Sequence, residues 1–226
     1  MAVHDGHRQR MLEKLLEHGI ETLHPHEILE ILLYHAIPRR DTNPIGHALI
    51  DSFGSLRAVF DAPYEELLKI EGVGPHAAKL IKLVPQLVRA YMDDTGETHI
   101  IDSREAAGNY LMPKFIGRTK ETVFLLCLDN KNKAVACVQL AEGSVNSTSV
   151  STRRIAEVAM KYNAAAIVLA HNHPNGVAIP SKEDIETTRQ IMRFCREFRM
   201  PLLDHIIVAD NDYVSMAETG MLTMLL

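Results

Sequence analysis

The sequence contains no tryptophan, only three cysteines and no long run of apolar residues. Cys127, Cys137 and Cys195 form no Cys-x-x-Cys pair and are odd in number, which argues against a disulfide framework and a cysteine-based zinc knuckle. No apolar run reaches the roughly 18 to 20 residues of a membrane span, and the first residues lack the apolar stretch of a secretory signal. We therefore expect reduced thiols, a cytoplasmic location and no membrane partner.

The chain divides into a helical part and a part with strands. Its 226 residues, 46% hydrophobic and 23% charged, are enough for one large or two small cores. Over residues 1–95, apolar side chains recur every three or four residues, which is typical of short helices packed together. The polar stretch at residues 93–98 predicts a linker. We therefore expect a helical domain over residues 1–95 and a second domain over residues 102–226.

The second part has the pattern of an α/β domain. Strand formers fill residues 122–128 and 134–140 on either side of a polar turn, which predicts a β-hairpin. The continuously apolar residues 164–170 are typical of a central strand buried on both faces. The other predicted elements are helices over residues 151–162 and 181–198 and strands over residues 202–208 and 213–215. Alternation of strands and helices predicts a layered α/β fold.

Two histidines follow the predicted central strand. Residues two apart in an extended segment point the same way, so His171 and His173 can direct their imidazoles to one point. The carboxyl end of such a strand is where open α/β sheets bind ligands. Asp184 falls in the first turn of the next predicted helix, close enough to add a carboxylate. Two imidazoles and a carboxylate leave a fourth tetrahedral position for water, which predicts a catalytic Zn²⁺ site.

Ser181, three residues before Asp184, has two interpretations. Its hydroxyl could donate a hydrogen bond to the oxyanion of a tetrahedral intermediate, which would make Ser181 a catalytic residue. Ser181-x-x-Asp184 is also typical of a helix start. Such an N-cap contributes about 1 kcal/mol to stability and needs no metal. A His-x-His pair alone is weak evidence for a metal. The buried strand before the pair and the carboxylate after it favour the metal site.

These residues resemble the motif of the JAMM, or MPN, metallopeptidases, which is His-x-His, ten residues and Asp, with Ser three residues before the Asp. His171, His173, Ser181 and Asp184 match each of those positions. The sequence around them, His-Asn-His-Pro-Asn-Gly and then Pro-Ser-Lys-Glu-Asp, is similar to that of the RadC family. The resemblance extends over roughly residues 122–222. It implies an MPN fold, a mixed sheet flanked by helices, with Zn²⁺ held by the two histidines and Asp184.

The resemblance also implies a glutamate that accepts the proton of the water and passes it to the leaving nitrogen. Glu142 is the nearest carboxylate in the expected region, and Glu121 lies further back along the chain. Val138 and Gln139, where the family glutamate could fall instead, carry no acid. Glu142 is therefore the candidate catalytic glutamate. A solvated residue beside a turn is an equal alternative.

Asp204 and His205 are adjacent on a predicted strand and therefore point to opposite faces of the sheet. One of them could hold a ligand histidine through a hydrogen bond, as zinc sites commonly require. A buried polar group paired with backbone is an equal alternative.

In the helical part, residues 70–81 carry two glycines in a turn that leads directly into a helix. Gly72 and Gly74 allow backbone conformations closed to other residues, and the amides at the helix start could bind a phosphate oxygen. The pattern resembles the helix-hairpin-helix motif, which the RadC family also carries and which binds nucleic-acid backbones in many proteins. Lys79 would add a cation to such a DNA contact.

The charge of the helical part counts against DNA binding. Residues 1–95 hold ten Lys and Arg and fourteen Asp and Glu, a net charge of about −4, where a DNA-binding domain usually has a basic footprint. A hairpin that packs two helices or meets a protein partner is an equal alternative.

Three functions therefore remain open. The preferred hypothesis is a zinc metallopeptidase or isopeptidase of MPN type that uses a metal-bound water on an unknown protein or peptide substrate. The second is a DNA repair or recombination factor that works through the helix-hairpin-helix. The third is a metal-free MPN scaffold that only binds proteins. The acidic charge counts against the second hypothesis, and the intact metal motif counts against the third.

Overall fold

The computed structural model describes residues 3–94, 98–143, 150–174 and 176–225. The chain folds into two compact units, Met1–Ala90 and Tyr91–Leu226. Thr95, Gly96 and Glu97 of the predicted linker lie outside the described residues, so the domain bounds 1–95 and 102–226 stay a prediction. Over the residues that are described, no helix has the length and apolar character needed to cross a bilayer.

The first unit is helical, as its periodicity predicts. Its helices are α1 (Val3–His18), α2 (Pro25–Tyr34), α3 (Asn43–Phe53), α4 (Leu56–Asp61), α5 (Tyr64–Leu67) and α6 (Pro75–Asp93). Turn residues separate them where the sequence predicts breaks. Gly54, with a φ of 85°, ends α3, and the hydroxyl of Ser55 accepts a hydrogen bond from the Ala58 amide at the start of α4. Each helix is too short to be stable alone, so the helices depend on packing against one another. Leu29, Leu49 and Ile81 are fully buried in the core that they share.

The second unit is a mixed α/β domain, as predicted. Its elements are α7 (Arg104–Leu111), β1 (Thr122–Leu128), β2 (Ala134–Glu142), α8 (Thr152–Lys161), β3 (Ala166–Asn172), α9 (Lys182–Glu197), β4 (Leu202–Ala209), β5 (Asp212–Ser215) and α10 (Met221–Met224). Five strands of the described residues form one sheet in the order β2-β1-β3-β4-β5. β3 and β4 are parallel, and the other neighbouring strands are antiparallel.

Helices cover both faces of this sheet, so β1 and β3 are buried along their whole length. On one face, Phe124 packs in a core with Leu111 of α7. On the other, Leu125 packs with Ile155 of α8 and Ile191 of α9. We call these the α7 face and the α9 face. Successive side chains of a strand point to opposite faces, so the parity of a residue in β1 or β3 decides which face it reaches.

Candidate metal centre

The two motif histidines reach the α9 face at the end of β3. β3 runs to Asn172, so His171 lies within the strand and not in the following loop, where the sequence pattern placed it. The backbone N–H of His173 still donates to the Val208 carbonyl of β4 at 2.8 Å, which continues the extended pairing for one more residue. The side chains of His171 and His173 therefore share a face, and their Nε2 atoms lie 2.9 Å apart.

Asp184 completes the group from the first turn of α9. Its Oδ1 lies 3.1 Å from Nε2 of His171, and its Oδ2 lies 3.2 Å from Nε2 of His173. Burial alone would raise the pKa of the Asp184 carboxyl, but the adjacent His171 imidazole and the hydrogen bonds from Ser181 outweigh it and hold that pKa well below its usual range. Asp184 is therefore an anion at neutral pH.

The donor atoms of this group suit a metal cation. The Nδ1 of His173 lies 3.1 Å from the Val177 carbonyl, which can only accept, so Nδ1 carries the proton and Nε2 keeps its lone pair. Donor atoms about 2.0 Å from a tetrahedral zinc lie about 3.3 Å from one another, close to the separations found here. Of the residues described, His171, His173 and Asp184 form the group of His, Cys, Asp and Glu whose donor atoms converge, all within 4.8 Å of one another.

Ser181 holds Asp184 as the N-cap of α9. Its main-chain N–H donates to Oδ2 of Asp184 at 2.8 Å, its hydroxyl donates to the same oxygen at 2.7 Å, and the Asp184 amide donates to Oγ at 3.1 Å. The helix-start interpretation of Ser181 therefore describes its position. A hydroxyl has one proton, so Ser181 can donate to an oxyanion only by releasing Asp184. Its catalytic role stays a prediction.

A cavity of about 590 Å³ opens beside the three donor groups, and Glu121 lines it together with His171, His173, Ser181 and Asp184. Glu121 precedes β1 by one residue. Val123 pairs with His171 across the sheet, and residues two apart share a face, so Glu121 reaches the same α9 face. The sequence favoured Glu142 over Glu121, which lies further back along the chain. The parity of Glu121 with Val123 and Leu125 is the signal in the sequence that places it on the α9 face.

Glu142, the glutamate chosen from the sequence, lies on the opposite face. It pairs with Thr122, and its carboxylate accepts hydrogen bonds from Arg118 at 3.2 Å and from Gln139 at 3.1 Å. The Arg118 guanidinium in turn lies over the ring of Phe124 on the α7 face. Glu142 is not among the residues that line the cavity. The structure therefore does not bring Glu142 into the site.

A β-bulge in β2 is the physical reason that Glu142 lies on the α7 face. Val123 pairs with Ala141 and Phe124 with Gln139, so β2 contains one more residue than β1 at this point. Both Leu140 and Ala141 consequently pack on the α9 face. Regular alternation would put Glu142 on the α9 face together with Leu140, and the extra residue turns it to the α7 face.

Comparison with known proteins identifies the family. Residues 101–221 match the RadC-like JAB domain, and residues 6–79 match the UPF0758 N-terminal domain. The chain belongs to the RadC family. A UPF0758 protein of Fusobacterium nucleatum is 34% identical over 225 residues, which cover 96% of this chain and 97% of the relative. A UPF0758 protein of Ruegeria pomeroyi is 32% identical over 220 residues, with the same coverage. The family and the fold class expected from the motif are confirmed.

The glycine turn of this RadC-family chain lies within the matched N-terminal domain. Gly72 has a φ of +88°, and a Cβ placed there would lie 2.7 Å from Cδ1 of Ile45. Gly74 accepts from the Ala78 amide at 3.0 Å where α6 begins, and no atom lies within 4 Å of the position its Cβ would take. Gly72 is therefore required by the turn, whereas Gly74 leaves open space beside the helix start.

The lysines near this turn differ in their exposure and in their hydrogen bonds. Lys79 is exposed on α6. The ammonium of Lys82 donates to the Phe60 carbonyl at 2.8 Å and to the Ala62 carbonyl at 2.9 Å, so it closes the end of α4. Arg40 is a further cation at the turn, because its guanidinium lies 3.6 Å from the position that a Cβ of Gly72 would take. DNA binding by Gly72, Gly74 and Lys79 stays a prediction.

Proposed function

We propose that the chain is a zinc-dependent hydrolase that cleaves a peptide or isopeptide bond. The observation that carries the proposal is the convergence of His171, His173 and Asp184 beside a cavity that a second carboxylate, Glu121, also lines. Three protein donors are the number that a catalytic zinc uses, because the fourth position must stay open for a reactant. Membership of the family with the RadC-like JAB domain supports the same chemistry.

Each group would have a separate task. Zinc bound by these three donors would polarise the scissile carbonyl and lower the pKa of a water toward about 7. Glu121 would accept a proton from the attacking water at its carboxylate and return it to the leaving nitrogen. The pKa of Asp184, held below its usual range, keeps that ligand ionised at the pH where the reaction runs.

The rim of the cavity supports a substrate with an apolar side chain near the cleaved bond. Val177 and Ile179 line the cavity and are 66% and 62% exposed. Their side chains would gain contact area when a substrate covers them. A peptide with an aliphatic residue beside the scissile bond fits this rim better than one with an acidic residue, because Glu121 and Glu183 also line it.

The proposal is tested by incubating zinc-loaded protein with a library of internally quenched peptides and lysine-linked isopeptides. We expect Glu121→Gln to lower the rate of hydrolysis by about 10²- to 10⁴-fold, because the variant cannot carry the proton. Glu142→Gln, a matched loss of carboxylate on the other face of the sheet, is expected to keep the wild-type rate. Unchanged hydrolysis in Glu121→Gln would contradict the role of that carboxylate. Zinc binding without hydrolysis of any probe would favour a binding protein over an enzyme.

A further inference from the structure

A chain of hydrogen bonds joins two of the candidate ligands through the interior of the second unit. His205 of β4 is 2% exposed, and its Nε2 lies 2.8 Å from Nδ1 of His171. Its other ring nitrogen, Nδ1, lies 2.6 Å from the hydroxyl of Thr188, which is fully buried on α9. The Thr188 hydroxyl also lies 2.6 Å from the main-chain carbonyl of Asp184, one helical turn earlier. These hydrogen bonds therefore connect the backbone of Asp184 to the ring of His171.

The Asp184 carbonyl at the end of this series of hydrogen bonds determines which atom donates in each of them. A carbonyl can only accept, so the single hydroxyl proton of Thr188 is donated to Asp184 O. The sulfur of Met216, at 3.6 Å, is a weaker and more distant acceptor. With its proton committed, the Thr188 oxygen accepts from Nδ1–H of His205. Neutral His205 then has a lone pair on Nε2, which accepts from Nδ1–H of His171.

We propose that Thr188 and His205 are positioning residues that hold His171 in the tautomer whose Nε2 lone pair faces the metal site. The inference rests on the proposed metal centre, because it concerns how that centre receives one of its ligands. In His173 the same tautomer is stabilised by the hydrogen bond from Nδ1–H to the Val177 carbonyl. The two histidines are therefore fixed by different means, one by a loop carbonyl and the other by a relay through β4 and α9.

The relay also explains two buried polar groups that the proposed reaction does not use. Neither Thr188 nor His205 lines the cavity, and a buried polar group costs free energy unless it is hydrogen-bonded. Each ring nitrogen of His205 has a partner, and the Thr188 hydroxyl has partners in Asp184 and His205, so both buried groups are hydrogen-bonded. Loss of the Thr188 hydroxyl would free His205 to carry its proton on Nε2. That proton would face Nδ1–H of His171 and oppose the tautomer that binds metal.

The test compares Thr188→Val, which keeps the shape of the side chain, with Thr188→Ser, which keeps the hydroxyl. Zinc dissociation constants are measured by competition with a chelating fluorescent indicator. We expect Thr188→Val to raise the constant by about 10- to 100-fold and Thr188→Ser to restore it. Ile191→Val, another buried change on α9, is the control for altered packing and is expected to leave the constant unchanged. A constant for Thr188→Val within about threefold of wild type would overturn the inference.

A second readout does not depend on zinc. ¹⁵N NMR of the imidazoles of the metal-free wild-type protein reports which nitrogen of His205 carries the proton, and we expect Nδ1. A proton on Nε2 would overturn the inference without any variant. If the wild-type protein takes up no zinc, the proposed hydrolase is contradicted, and the NMR tautomer of His205 in wild type and Thr188→Val still decides the relay.

Discussion

Ser181 and Asp184 hold each other in place across the first turn of α9. The Ser181 main-chain N–H donates to the Asp184 carboxylate at 2.8 Å, and the Asp184 main-chain N–H donates to the Ser181 hydroxyl at 3.1 Å. Such a reciprocal cap satisfies two backbone donors that have no partner inside the helix. Because Asp184 is also a candidate ligand, the same bonds that start the helix orient a carboxylate toward the two histidines.

Loss of the Ser181 hydroxyl should therefore lower both stability and zinc affinity. We expect Ser181→Ala to reduce the free energy of unfolding by about 1 kcal/mol, measured by urea denaturation. Ser151 is the matched control, because its hydroxyl caps α8 in the same way by accepting from the Arg154 amide. Ser151→Ala should cost about the same stability and leave zinc affinity unchanged. Equal zinc affinities for the two variants would argue against a role of the cap in orienting Asp184.

The two glycines of the hairpin should differ in their tolerance of a side chain. We expect Gly72→Ala to cost about 1 to 3 kcal/mol, because its φ is positive and the new Cβ would lie 2.7 Å from Ile45. Gly74→Ala should change stability by less than about 0.5 kcal/mol, since its Cβ would enter open space. Thermal unfolding of both variants checks this. An intact Tm for Gly72→Ala would contradict the strained turn described here.

The three cysteines should react slowly in the folded protein. Burial raises the pKa of Cys127 and Cys195 to about 11 and that of Cys137 to about 12. The reactive thiolate is therefore scarce at neutral pH. We expect DTNB to label the native protein slowly at pH 7.5 and all three thiols at once in guanidinium chloride. Rapid labelling of a native thiol would show an exposed or activated cysteine.

The sequence predicts the elements of the α/β domain correctly where the order of apolar and polar residues matches the burial of the side chains. The strand formers of residues 122–128 are β1 without any shift, and the helix over residues 181–198 is α9 with one residue fewer at each end. α7 was missed, because its eight residues, which include Gly108 and Asn109, have no clear apolar periodicity. Its place is decided by packing against the sheet, which a local pattern does not contain.

The candidate site was predictable to the extent that it depends on alternation and helix starts. His171, His173 and Asp184 converge as their spacing indicates. The face of Glu142 was not predictable, because the bulge at Leu140 and Ala141 shifts the alternation by one residue, and nothing in the local sequence marks where the extra residue falls. The sequence pattern also does not predict the role of Thr188, because its contact with His205, 17 residues away, depends on how α9 packs against β4.

The central claim is that His171, His173 and Asp184 bind zinc, and metal content after dialysis against trace zinc tests it most directly. We predict close to one zinc ion per chain for the wild-type protein and for Glu142→Gln. His173→Ala and Asp184→Ala should retain little zinc, because two donors do not complete a catalytic zinc site. Wild-type protein without zinc, or Asp184→Ala with undiminished zinc, would contradict the account.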